Sequence, residues 1–224
     1  MSDKAVGGPG AVDLFGIGGF WVAQDDGNND TSQRAVGIGS NGDAAASKLH
    51  DNKNEVTVTY KNFATAGNLV IPAVGDVLGG YVAPTIKIDC KPEDWPTMVI
   101  TGHQHDGNPH VAGLPKYVFP LTIPCGFGVP TIFANLAAAC GNASLSVDLS
   151  CTHLDVPDGL TGEHLAGSNG NGQCKVSLEY TGVPNITADV ATKGFDFVTP
   201  SNKTQGNSKF DATSCQLEKS LARV

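Results

Sequence analysis

From Glu55 onward the chain alternates. In EVTVTYK, Val56, Val58 and Tyr60 fall on one side and Glu55, Thr57 and Thr59 on the other, the period of a half-buried strand. NLVIP follows a turn containing Gly67 and predicts the second arm of a hairpin. VGDVLGGYVAPTIKIDCK reads as a strand with a kink or bulge at Gly79–Gly80, where Thr85, Lys87 and Asp89 oppose Ile86, Ile88 and Cys90. Past a turn at Lys91–Trp95, PTMVITGHQH gives another strand, so residues 55–103 predict a four-strand antiparallel run.

Further along, SLSVDLSC, CKVSLEYTG and GFDFV predict strands, with VPDGLTGEHLAGSNGNGQ as a long turn-rich loop between the first two. Residues 107–128 read as loop, punctuated by Pro109, Pro115, Pro120 and Pro124. PTIFANLAAAC is the best helix candidate, with Pro130 at its first position and Gly141 as its stop. AAASKLHD and the C-terminal SCQLEKSLARV are candidates for short helices. Residues 1–54 are rich in Gly, Asn and Asp around one apolar patch, Phe15 to Val22, and predict an extended arm with loops that orders against a neighbour. The expected organisation is therefore an arm over 1–54 and a β-rich domain over 55–224.

Composition strengthens the β reading. The 28 Gly and 13 Pro, with only 16% charged residues, leave few good helix formers and many turn formers. Charge removes one function class. The net charge of −8 carries just two arginines, Arg34 and Arg223, and no lysine cluster, whereas a nucleic-acid grip needs concentrated cations. No apolar run reaches the ~20 residues of a membrane span, and Asp13 and several glycines interrupt the start where a signal peptide would be apolar. Cys90, Cys125, Cys140, Cys151, Cys174 and Cys215 are scattered without a CxxC pair and read as small core hydrophobes.

Chemical motifs are sparse. Gly37-Ile38-Gly39-Ser40-Asn41-Gly42 matches GxGxxG by letter, yet NNDTSQRAV before it is not a buried strand, so a Gly-rich loop is expected rather than a dinucleotide site. His103 and His105 share one face of a strand, a geometry suited to a metal, with His110 or Asp106 as a third ligand. They lack HExxH and a carboxylate cluster, so a polar strand end is expected: no metal, with His103, His105 and His110 as the only candidates. His153, Glu163 and His164 stand in another predicted loop. No nucleophile elbow or Cys–His context is present, and no catalytic or cofactor-binding residue is assigned. Trp95 reads as a turn anchor.

The stretch EVTVTYKNFATAGNLVIPAVGDVLGGYVAPTIKIDCKPEDWPTMVITGHQH, and SLSVDLSCTHLDVPDGLTGEHLAGSNGNGQCKVSLEYTG after it, resemble the tail tube and related tail proteins of tailed bacteriophages. The likeness covers residues 55–105 and 144–182 and rests on alternation and turn patterns. It implies a mainly-β fold, an antiparallel β-sandwich or split barrel with one or two short helices. It implies a non-enzymatic virion subunit, made in the host cytoplasm, whose copies close into hexameric rings. Stacked rings form a tube through which DNA passes without specific binding. Residues 1–54 and 103–130 are the natural contacts to neighbouring rings and other tail proteins. Adaptor, hub and capsid-decoration proteins stand close to this expectation. Two others compete from different classes: a secreted or surface β-sandwich that binds glycans, and a metal-dependent enzyme on His103, His105 and His110.

Overall fold

The computed structural model describes residues 5–6, 13–17, 21–30, 33–38, 40–42, 44–50, 53–61, 67–105, 113–130, 132, 143–157, 164–181, 187–197 and 212–224. The strands are β1 (Ala5–Val6), β2 (Trp21–Asp30), β3 (Gln33–Ile38), β4 (Ala44–His50), β5 (Lys53–Lys61), β6 (Val77–Leu78), β7 (Tyr81–Cys90) and β8 (Thr97–His105). They continue with β9 (Tyr117–Val118), β10 (Ala143–Pro157), β11 (His164–Thr181), β12 (Asp196–Phe197), β13 (Ala212–Ser220) and β14 (Ala222–Arg223). One helix, α1 (Thr187–Thr192), is present among the described residues. The protein is mainly β, as its alternation and composition predict.

Most strands join one ten-stranded sheet in the order β1-β2-β5-β8-β7-β10-β11-β13-β12, with β6 added on β7; β3–β4 and β9–β14 form two-stranded companions. The pairings are antiparallel, and registers match apolar residue to apolar residue. Tyr60 lies opposite Met98, Met98 opposite Ile88, Ile88 opposite Val147, Val147 opposite Val176, and Val176 opposite Leu217. A slip of one residue would turn every one of these side chains to the other face. On that face Val58, Ile86, Ile88, Ile100, Val147, Leu149, Val176 and Leu217 are fully buried. Non-strand segments cover it, supplying Phe15, Leu69, Val74, Phe119, Ile123, Val190 and Phe195 to the same core. Cys90, Cys174 and Cys215 also pack there, and burial pushes their thiols up to about 12, about 12 and about 11.

Several local expectations change. NLVIP does not pair with β5, both of whose edges are taken by β2 and β8. Instead the Leu69 amide donates to the Ile123 carbonyl at 2.7 Å and the Cys125 amide to Gly67 at 3.0 Å. Gly79 and Gly80, both at positive φ, make the tight turn from β6 to β7 rather than a bulge. The register irregularity falls between Val82 and Thr85, where Pro84 has no amide to give the ladder.

Ala44–His50 of AAASKLHD is strand, not helix: β4 pairs along β3 with one irregularity, and a helix too short to stand alone does not offset that pairing. SCQLEKSLARV is also strand, because Cys215 and Leu217 alternate into the core against β11. The expected arm over 1–54 contributes β2 to the main sheet through its pairing with β5. The PTIFANLAAAC helix candidate lies outside the described residues except for Pro130 and Ile132, and Ile132 is buried. GFDFV contains β12, as expected.

Residues 164–173, expected as loop, belong to β11, which runs beside β10 along its whole length. One glycine there, Gly172, serves packing. A Cβ on Gly172 would stand 2.2 Å from the Tyr117 ring. Its neighbour Asn171 takes φ 53° at the register shift opposite Cys151, a conformation Asn tolerates better than most residues.

Candidate functional site

On β8, Met98, Ile100 and Gly102 point to the core, and Val99, Thr101, His103 and His105 to the opposite face. The register with β5 is unbroken, so Lys53 and Glu55 share that second face with the histidines. β10 keeps step with β7 as far as Ser150 opposite Thr85. Beyond it the far half of the β10–β11 hairpin lies against the end of β8. The alternation that buries Leu145, Val147 and Leu149 continues through Cys151 to His153 and Asp155.

This brings His103, His105, His153 and Asp155 together. His153 Nε2 lies 2.9 Å from Asp155 Oδ1, His105 Nε2 3.1 Å from the same oxygen, and His103 Nε2 3.9 Å from Oδ2. The rings of His103 and His153 are 4.8 Å apart between centroids, and those of His103 and His105 6.2 Å, both edge to face. The three histidine side chains are only 3–4% exposed, whereas Asp155 keeps 23%. Lys53 Nζ approaches Asp155 Oδ2 at 3.9 Å from the open side.

Behind His153 stands Asn169, its cross-strand partner and itself buried. The Asn169 amide donates to the carbonyls of Gly75 and Pro115, both at 2.8 Å. Both amide hydrogens are thereby committed, so Asn169 Oδ1 accepts from His153 Nδ1–H at 2.6 Å. That bond assigns the proton to Nδ1 and turns Nε2 toward Asp155. Burial disfavours the charged His153 ring, but its bonds to Asp155 and Asn169 outweigh this and raise its pKa. Burial likewise works against the Asp155 carboxylate, yet the bonds from His153 and His105 hold it well below the usual carboxylate range.

His103 and His105 therefore share a face, as their spacing predicts, but they are shut in rather than standing at a polar strand end. His110, Asp106 and Glu163 lie outside the described residues. His164 enters β11 opposite Pro157. The partners that spacing did not supply are His153, Asp155 and Asn169. A partial signal for the first two was present: SLSVDLSC alternates as far as Cys151, and carrying its parity on through THLD puts His153 and Asp155 on the same side. The GxGxxG match begins on the last two residues of β3, and the next element is the strand β4, so no helix N-terminus follows it to hold a phosphate. Trp95 packs edge to face on Phe127 at 5.6 Å. Compared with protein-family models, with curated proteins and with solved structures, the chain matches none.

Proposed function

We propose that the chain is a structural subunit of a virion, a tail tube subunit in the first place, whose copies close into rings and stack into a conduit for the genome. The margins of the large sheet carry this reading. Among the described residues β13 is paired on its outer side by β12 at two positions, Asp196↔Glu218 and Phe197↔Leu217. At the other margin β2 is paired by β1 at two, Ala5↔Gln24 and Val6↔Ala23. Long strands with short outer partners are surfaces on which another copy adds a strand, and ring closure then removes the exposed edge.

The polar face of the sheet is compatible with a wet lumen. Lys87, Asp148, Lys175 and Glu218 stand opposite one another in successive strands with alternating sign. A row that cancels its own charge offers a passing polyanion no net grip. The chemistry proposed is accordingly assembly rather than catalysis.

The test is sedimentation of the purified chain from micromolar to millimolar concentration, with negative-stain microscopy of the same samples. Rings or stacked tubes that grow with concentration are expected. A chain that sediments as a monomer throughout and shows no ring overturns the reading.

A further inference from the structure

We propose that His103, His153 and Asp155 form a binding site for one divalent first-row transition cation of the zinc class, with His105 as a fourth side chain at hand. The ion would staple the far half of the β10–β11 hairpin to the end of β8. This inference is independent of assembly.

Three observations carry it. One ligand atom from each of His103, His153 and Asp155 lies within 4.8 Å of the others. A tetrahedral ion with bonds of about 2.0–2.2 Å holds its ligand atoms roughly 3.4 Å apart. Side-chain adjustments of about 1 Å therefore close the site. The donors are also delivered by two different parts of the sheet, β8 and the β10–β11 hairpin, so binding an ion joins elements that their backbone ladders do not join at this point.

The third observation is the orientation of the His153 ring. Asn169 accepts from Nδ1–H, which turns Nε2, the atom a metal would take, onto Asp155 Oδ1 at 2.9 Å. A proton between them closes this hydrogen bond, and a metal ion would take the proton's place. A partly buried carboxylate ringed by imidazoles, with a ligand histidine oriented by a hydrogen bond on its far nitrogen, is how proteins hold such ions. Imidazole nitrogens with one carboxylate favour Zn²⁺, Co²⁺, Ni²⁺ or Fe²⁺ over Ca²⁺ and Mg²⁺, which take oxygen-rich shells. Lys53 is the opposing group. Its ammonium lies on the carboxylate at 3.9 Å, but the side chain is 29% exposed and can swing to solvent when a cation enters.

The experiment uses the full chain without a polyhistidine tag, stripped with EDTA. ZnCl₂ is titrated by calorimetry and CoCl₂ by visible absorption. Binding of one Zn²⁺ per chain is expected, with an intense Co²⁺ band of low coordination number and a melting temperature raised by Zn²⁺ but not by Mg²⁺. His153→Gln and Asp155→Asn should each weaken Zn²⁺ binding at least 100-fold. Asn169→Ala, which removes no ligand, should weaken it roughly 10–100-fold by releasing the His153 ring.

Saturable binding that survives in folded His103→Gln and Asp155→Asn variants overturns the proposal. So does the absence of binding by the folded wild-type chain, which would assign the cation between His153 and Asp155 to a proton. Should the ligand variants fail to fold by circular dichroism, the wild-type Co²⁺ spectrum decides. A weak octahedral band then counts against the site, and an intense tetrahedral one supports it.

Discussion

Along one face of β8 the same strand shows two opposite treatments of polar side chains. Val99 and Thr101 belong to a wet region. Thr101 meets Thr57 through a hydroxyl contact of 3.2 Å, and Val99 leads through Lys87 into the charged row with Asp148, Lys175 and Glu218. In that row Lys87 and Asp148 approach to 4.0 Å, Lys175 and Glu218 to 3.3 Å, and all four side chains are about half exposed. Two and four residues beyond Thr101, His103 and His105 are closed off under the hairpin. Contacts of similar length occur in both places, but only the histidine rings have lost their water. Exposed pairs keep their hydration and contribute little. Groups taken out of water must be compensated by their own partners, and removing one partner leaves the rest stranded. Stability should therefore be concentrated in the histidine cluster and nearly absent from the ladder.

The largest effect expected is for Asp155→Ala. It removes the one carboxylate against which three imidazoles and Lys53 are arranged and should destabilise the fold by about 3 kcal/mol. Asp148→Ala, an aspartate in the same strand at the exposed end of the comparison, should stay within about 0.5 kcal/mol of wild type. Urea unfolding of both variants, followed by circular dichroism, measures the difference. Equal losses would break the contrast between wet and dry rows.

Next comes the support behind the cluster. Gly75 takes φ 81°, and a Cβ there would stand 2.5 Å from Asn169 Nδ2 and 3.1 Å from Cys151 Sγ. Gly75→Ala adds a strained backbone conformation to that collision and should cost roughly 2 kcal/mol. It should also shift the His153 ring resonances in NMR, because Asn169 donates to the Gly75 carbonyl and accepts from His153. A stability loss with unmoved His153 resonances would show that Gly75 acts on the turn alone.

What could be read from the residues, and what could not, divides along the same line. Alternation placed Val56, Val58 and Tyr60 on one face of β5 and His103 with His105 on one face of β8, since parity is local to a strand. Parity does not say what covers a face. Nothing in GHQH announces that a hairpin half from beyond residue 150 lies over it. The glycines of SNGNG misled for a related reason. They resemble a turn, but at Gly172 the missing Cβ makes room for the Tyr117 ring inside a strand, a contact between distant parts of the chain. Strand order was equally hidden, because NLVIP follows β5 in sequence while β8 and β2 hold its edges.

The smallest effect bears on the ladder itself, through a double-mutant cycle on Lys175 and Glu218. Their 3.3 Å contact is the closer of the two cross-strand ion pairs in the row, with the side chains 60% and 47% exposed. Lys175→Gln, Glu218→Gln and the double variant should yield a coupling of no more than about 0.5 kcal/mol. Salt should reduce it further, since the charges are open to counterions. The row also contains its own compensation. Lys175 lies between Asp148 and Glu218 in the register, so losing one acidic neighbour leaves the other in place. A coupling above 1 kcal/mol, or one that salt leaves unchanged, would mean that the ladder is screened from solvent, as it would be when the polar face is packed against another copy of the chain. Measured below and above the concentration at which rings form, the same cycle therefore reports whether assembly turns this wet row into a dry one.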